Sequence, residues 1–226
     1  MIKAVFIDID NTLLDFDAYV KDAMRTGFKK YGLPEYKEEM FGTFTTENAK
    51  LWHQIEDGTL TFNELIKIRW NKIFEALGIS FDGVEFETYF RQFLNQSAIP
   101  VEGATDMLKY LYGKYTLCAA SNGPYEQQIN RLKIGNMHQY FSHFFISEKI
   151  GASKPAKEFF DYCFDELDKS ILPSEVMIIG DSLTSDMEGG ISNGLKTCYY
   201  DRSGKGAKDK KVDYVVTNLE EIKNIL

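Results

Sequence analysis

Apolar residues recur along this chain with two different periods, and the change from one to the other divides it into two kinds of structure. Near the start, and again from Ile99 onward, short apolar runs end abruptly on a polar or acidic residue. Three stand out: Val5-Phe6-Ile7-Asp8, Leu117-Cys118-Ala119-Ala120-Ser121 and Val176-Met177-Ile178-Ile179-Gly180-Asp181. Continuous short apolar runs are those of strands covered on both faces, as in a parallel sheet. From about Asp17 to Asn95 β-branched runs are almost absent. Apolar positions there return at three- and four-residue steps, as at Leu65 and Ile68 and again at Ile73 and Leu77, which is the period of amphipathic helices. Breaks near Gly32-Leu33-Pro34, Asp57-Gly58 and Gly78-Ile79-Ser80 divide this stretch into about four helices.

Beyond Ile99 the pattern predicts strands over 115–120, 144–147, 176–180, 196–200 and 214–216, with the first strand of the chain over 3–8. Helices are predicted over 104–112, 125–132, 156–167, 184–193 and 219–225. Such alternation argues βα units around a parallel sheet. The expectation is an α/β fold with a doubly wound core in residues 1–15 and 99–226, its first strand separated from the rest by a helical insertion at 16–98. No internal repeat or low-complexity segment is visible.

Composition narrows the function classes. A hydrophobic fraction of 44% with 14% aromatic residues suffices for a buried core and excludes a disordered chain. The formal charge of −8 opposes binding to a nucleic-acid polymer, which needs a clustered basic surface. The one basic cluster, Lys205 to Lys211 with Lys208, Lys210 and Lys211, reads as a solvated loop beside Asp209. No stretch approaches the roughly 20 apolar residues of a membrane span, and the N-terminus enters a strand without a signal-peptide pattern. A cytoplasmic location is therefore expected, and Cys118, Cys163 and Cys198 read as buried free thiols.

In an open α/β sheet, ligands bind beyond the carboxyl ends of the strands, so carboxylates there face a substrate. Asp8 and Asp10 stand two apart and would share a face in a continuing strand. Two carboxylates that close repel unless a cation or a proton intervenes. With Mg2+ on Asp8, that residue stays ionised and can attack phosphorus, while Asp10 keeps a proton for the leaving oxygen. The alternative is that Asp10 or Asn11 only caps a turn. Ser121-Asn122-Gly123-Pro124 opens a helix whose unpaired N–H groups suit a phosphoryl group, assisted by the Ser121 hydroxyl. Lys154 precedes Pro155 and is held extended, where its amine can reach the site. Asp181 ends the fourth core strand and completes an oxygen set for Mg2+ with Asp8 and a nearby backbone carbonyl. Asp186, about a turn further, could orient Lys154 or a metal-bound water.

Together these residues resemble the haloacid dehalogenase-like hydrolases. Asp8-Ile9-Asp10-Asn11-Thr12-Leu13 is similar to the family's first motif, Ser121 to the second, Lys154 to the third, and Gly180-Asp181 to Asp186 to the fourth. The resemblance implies a Rossmann-like core, a helical-bundle cap of the C1 type at 16–98, and an aspartyl-phosphate at Asp8. It also implies Mg2+ at Asp8, Asp10 and Asp181, and phosphate binding by Thr12, Ser121, Asn122 and Lys154. An acid at position 10 argues for phosphoryl transfer over dehalogenation. Asn11 departs from relatives that carry Asp there.

A closed cap implies a small phosphorylated metabolite as substrate. More closely, Asn48-x-x-Leu51-Trp52-x-x-x-Glu56-x-Gly58, Arg69-Trp70 and Ser147-Glu148-x-x-Gly151-x-x-Lys154-Pro155 resemble the bacterial house-cleaning pyrimidine 5′-nucleotidases. Asn48, Trp52 and Glu56 recur every four residues on one helix face, where Trp52 could stack a base or pack inside the bundle. Arg69 could pair with Glu56 or touch substrate. A sugar-phosphate phosphatase, a phosphoglucomutase-like transferase and a phospho-accepting receiver module remain the alternatives. A monomer or small homo-oligomer is expected, with no membrane partner.

Overall fold

The computed structural model describes residues 1–207 and 209–226; Lys208 of the basic cluster lies outside the described residues. The chain forms two compact units, one of Met1–Asp15 with Ala98–Leu226 and one of Phe16–Ser97.

The first unit is built on six strands: β1 (Ala4–Ile7), β2 (Thr116–Ser121), β3 (His143–Ile146), β4 (Val176–Gly180), β5 (Lys196–Tyr200) and β6 (Tyr214–Val216). Their order in the sheet is β3-β2-β1-β4-β5-β6, and every neighbouring pair is parallel. The chain winds from β1 through β2 to β3 on one side, then returns to β4 on the other. Strand order thus reverses at β1, and a crevice opens at that switch point beyond the carboxyl ends of β1, β2 and β4. β1 is buried along its whole length. Alternation sends Val5 and Ile7 into one core layer and Ala4 and Phe6 into the other.

The second unit holds four helices, α1 (Phe16–Tyr31), α2 (Glu38–Glu56), α3 (Phe62–Leu77) and α4 (Gly83–Asn95). Their boundaries follow local chemistry. Thr61 and Glu64 form a reciprocal capping box at the start of α3, and Gly78 closes it in the left-handed region at φ 67°. Asp82 caps the first turn of α4. Inside, Tyr19, Phe28, Phe44, Trp70, Phe74, Phe86 and Phe90 are buried, with the rings of Trp70 and Phe86 only 4.4 Å apart. Burial on α3 follows Leu65, Arg69, Trp70, Ile73 and Phe74, so the apolar stripe read from the sequence is shifted round the helix by an arginine.

Back in the first unit, α5 (Ala104–Leu111) supplies Met107, Leu108 and Leu111 to the layer under Val5 and Ile7. α6 (Tyr125–Ile134) follows β2, a one-turn α7 (Ser147–Ile150) follows β3, and α8 (Lys157–Glu166) packs Phe159, Phe160 and Cys163 against the Phe6 face. The helix expected over 184–193 is instead a π-helical turn, Leu183–Met187, running into α9 (Glu188–Ser192). Wide turns of this kind gather at functional sites, and this one carries Asp186. The closing helix expected over 219–225 is a 3-10 helix, Leu219–Asn224.

Phe6 sits at the centre of β1, fully buried and edge-on to Phe145 with ring centroids 5.3 Å apart. Phe6→Ala is expected to cost about 3–5 kcal/mol of stability, as large-to-small changes in a packed core do. Urea denaturation of the variant and the parent protein measures this directly.

Candidate active site

The carboxyl ends of β1, β2 and β4 bring Asp8, Ser121 and Asp181 to the same sheet edge, and the loop before α8 adds Lys154 from one side. The Lys154 side chain is 1% exposed. Its ammonium donates to Oδ1 of Asp8 at 2.7 Å, to Oδ1 of Asp186 at 2.6 Å and to the carbonyl oxygen of Ala120 at 2.6 Å. An ammonium has three protons, so each is committed to the protein. Lys154 therefore keeps no spare donor, and what it offers the site beyond these three contacts is its charge.

Two other residues fix this lysine. Asn122 accepts from the Lys154 N–H at 2.8 Å and donates to the Lys154 carbonyl at 2.9 Å. The side chain expected to bind phosphate thus also clamps the backbone of the third-motif loop. Gly180 makes room for Asp186, because a Cβ at that position would stand 2.1 Å from Oδ2 of Asp186. The same Oδ2 accepts from the Ser182 N–H at 3.1 Å.

Electrostatics follow from burial and pairing. Burial pushes the Asp8 carboxyl up to about 7, with Asp186 and Asp10 adding to the rise and the Lys154 ammonium opposing it. For Lys154 burial works against the charge, but Asp186 and Asp8 outweigh it and the net direction is upward. Burial raises all three thiols, Cys198 to about 12, which leaves them inert as nucleophiles at neutral pH.

Asp8, Asp181 and Asp186 each place a carboxylate oxygen within 4.8 Å of the others. An all-oxygen, carboxylate-rich set suits a hard divalent ion such as Mg2+ and not a thiophilic one.

Asp10 belongs to a different arrangement. β1 ends at Ile7, and the chain turns through Asn11, which takes the left-handed φ of 59° that asparagine tolerates. The Asp10 carboxylate is consequently not in the three-acid group. Its Oδ1 accepts from Nη1 of Arg131 at 2.6 Å and its Oδ2 from Nε2 of Gln128 at 2.7 Å. That Nε2 also donates to Ser121 Oγ at 2.8 Å. Arg131 and Gln128, both on α6, escape a sequence reading because 125–131 is polar nearly all round; the signal is an arginine and a glutamine three apart on a face that also carries Leu132. Thr12 is fully buried, and its Oγ1 has no hydrogen-bond partner in the protein. Asn11 accepts from Nη1 of Arg202 at 2.7 Å, and Nη2 of the same arginine donates to Asp15 at 2.7 Å, tying the first-motif loop to the end of β5.

Asn48, Trp52 and Arg69 lie in the helical unit. Arg69 pairs with Glu87, not with Glu56: its Nε donates to Oε2 at 2.9 Å and its Nη2 to Oε1 at 2.5 Å, with both residues buried. A third donor, Nη1, reaches Asn48 Oδ1 at 3.4 Å. Arg69 therefore braces α3 against α4, because a guanidinium buried there needs a carboxylate at hand. Trp52 is half-buried, its ring 6.3 Å from that of Phe62.

The haloacid dehalogenase-like hydrolase model matches residues 2–194. The chain belongs to that family. The HAD-hydrolase YfnB of Bacillus subtilis is 32% identical over 99% of this chain and 95% of its own length. A crystal structure of YfnB, described as bound to magnesium, superposes with a TM-score of 0.92 and covers 100% of this chain and 98% of that one. The pyrimidine 5′-nucleotidase PynA of Streptococcus pneumoniae is 31% identical over 88% of this chain and 83% of its own. The pyrimidine 5′-nucleotidase YjjG of Escherichia coli is 27% identical over 98% and 96%. Among the described residues, no helix of this hydrolase is long and apolar enough to cross a membrane.

A carboxyl raised in the folded state favours folding at low pH, and that contribution is lost as pH climbs through its folded value, here about 7. Lys154 is charged throughout this window and adds no slope. A cation binds only the ionised carboxylate, so the gain in melting temperature on adding Mg2+ is expected to grow between about pH 5.5 and about pH 8. Thermal unfolding with Mg2+ and with a chelator at both pH values checks it; an equal gain at both would refute the link.

Proposed function

We propose that this hydrolase cleaves a small phosphomonoester in two steps through an aspartyl-phosphate at Asp8, with Mg2+ as its cofactor. The observation that carries the reading is the Asp8 carboxylate at the switch point, held by a buried lysine and flanked by two further acids. Asp8, Asp181 and Asp186 are the residues that would hold the ion. When bound, Mg2+ supplies positive charge against the carboxylates and the phosphoryl oxygens.

In the first step an Asp8 oxygen attacks phosphorus as the ester P–O bond breaks, and Asp10, carrying a proton, gives it to the departing oxygen. In the second, Asp10 as carboxylate takes a proton from water, whose oxygen attacks phosphorus. The bond between Asp8 and phosphorus breaks, releasing inorganic phosphate and restoring both acids. Lys154 keeps Asp8 oriented and lowers the repulsion between it and the incoming anion. Ser121 and the main chain at the start of α6 face the phosphoryl oxygens. A loose phosphoryl transition state is served mostly by such positioning and charge.

For the substrate, we infer a pyrimidine nucleoside 5′-monophosphate. The nucleotidase names of PynA and YjjG, each matched over most of both chains, support this choice over a sugar phosphate. Asn48 and the half-buried Trp52 are the helical-unit residues with base-binding chemistry; Arg69 is engaged by Glu87.

Asp8→Asn is expected to leave the fold intact and to lower turnover on the order of 10³-fold or more, since it removes the nucleophile. Circular dichroism together with phosphate release measures both parts, and near-normal turnover by the folded variant refutes the nucleophile. Across a panel of nucleoside monophosphates and hexose phosphates with Mg2+, the pyrimidine nucleotides are expected to give the highest kcat/KM. Preference for the hexose phosphates would reject the nucleotidase assignment while keeping the phosphatase one.

A further inference from the structure

The protein buries two arginine–carboxylate pairs of different character. Arg69 and Glu87 are both closed off, 4% and 3% exposed, as a brace between helices would be. Arg131 is as deeply buried, at 1%, but its partner Asp10 is 34% exposed. A guanidinium is costly to bury, and here it is buried behind an acid that remains open at the strand ends.

The contacts around it leave each group one orientation. A guanidinium only donates, so Nη1 of Arg131, 2.8 Å from Gln128, must meet Oε1 of the amide. That turns Nε2 of Gln128 toward Asp10 and Ser121, and its two protons match those two acceptors. Ser121 Oγ accepts a second N–H, from Gly123, at 3.2 Å. With both lone pairs used, its one proton is left to donate. Gly123 is needed for this approach, because a Cβ there would stand 2.7 Å from Nε2 of Gln128.

We propose that Arg131 and Gln128 are positioning residues: from its buried side they hold the Asp10 carboxylate in the pose for proton transfer. The inference rests on the reading of Asp10 as acid and base given above. It adds that the aim of this acid is set from α6, and that the same glutamine links the proton-transfer group to the phosphate loop.

The test compares two esters on the full chain with Mg2+. A nucleoside 5′-monophosphate leaves as an alkoxide and needs its proton; p-nitrophenyl phosphate leaves as a stable phenolate and does not. For Arg131→Met and Gln128→Leu, kcat on the nucleotide is expected to fall about 100-fold with KM changed less than about threefold, the loss typical of a misplaced proton donor. The pre-steady-state burst of nitrophenolate, which reports only the first step, is expected to slow by less than about threefold. Equal losses on both esters would mean a merely structural role and overturn the proposal, as would no loss on either. Should Arg131→Met fail to fold, Gln128→Leu, which removes no charge, decides alone. Asp10→Asn is run beside them: if it retains nucleotide turnover, the acid–base reading itself fails. If it gives the ester split and the α6 variants do not, only the positioning proposal falls.

Discussion

One buried ammonium governs the chemistry of the sheet edge. Lys154 takes its acceptors from three separate segments: Asp8 after β1, the Ala120 carbonyl near the end of β2, and Asp186 in the turn after β4. A charge withdrawn from water must be fully paired, or it destabilises the fold by several kcal/mol. The surroundings are arranged accordingly. Asn122 clamps the lysine's own backbone, Gly180 gives up a side chain so that Asp186 can approach, and the π-helical turn carries Asp186 back toward the strand ends. The three segments that carry reactive groups are thereby held in register by a single side chain.

That constraint also separates the acids. Asp8 and Asp186 hold the lysine, and with Asp181 they place three carboxylate oxygens within 4.8 Å of one another, a set that would suit a hard cation. Asp10, two residues from Asp8, is drawn by the turn at Asn11 to Arg131 and Gln128. Neighbouring identical side chains thus acquire different partners, one facing a lysine and an acidic cluster, the other a guanidinium and an amide. Different partners give two identical side chains different surroundings, which is how one site can set two carboxylates to different tasks.

Much of this was legible in the order of residues, for identifiable reasons. A strand covered on both faces is written as an unbroken apolar run, so Asp8, Ser121 and Asp181 were marked wherever such a run stopped. The helical unit was legible from its period. What stayed hidden were partners brought in from afar. Arg131 lies 121 residues from Asp10, in a stretch that reads as a wet helix surface. Arg69 read as a partner of Glu56, on the helix before it, or as a substrate contact, and its carboxylate partner is Glu87 on the helix after it. Asn122 looked like a phosphate ligand because it follows Ser121, but its amide matches the Lys154 peptide group on both sides. Helical period also cannot separate a π-helical turn from an α-helix over five residues, so the turn holding Asp186 was read as part of a longer helix.

The distribution of committed groups bears on where substrate choice resides. At the sheet edge, the Lys154 donors, the Asn122 amide, the Asp10 oxygens and the Gln128 amide are each engaged within the protein. Their orientation is set by the fold and not by what a substrate carries beyond its phosphoryl group. On the reading proposed above, binding energy at such a site goes to the part that all phosphomonoesters share. Any discrimination between a pyrimidine and a sugar would, on that reading, fall to side chains outside that network. In the helical unit the buried Arg69 is engaged by Glu87 and reaches Asn48, and the ring of Trp52 is half-buried beside that of Phe62.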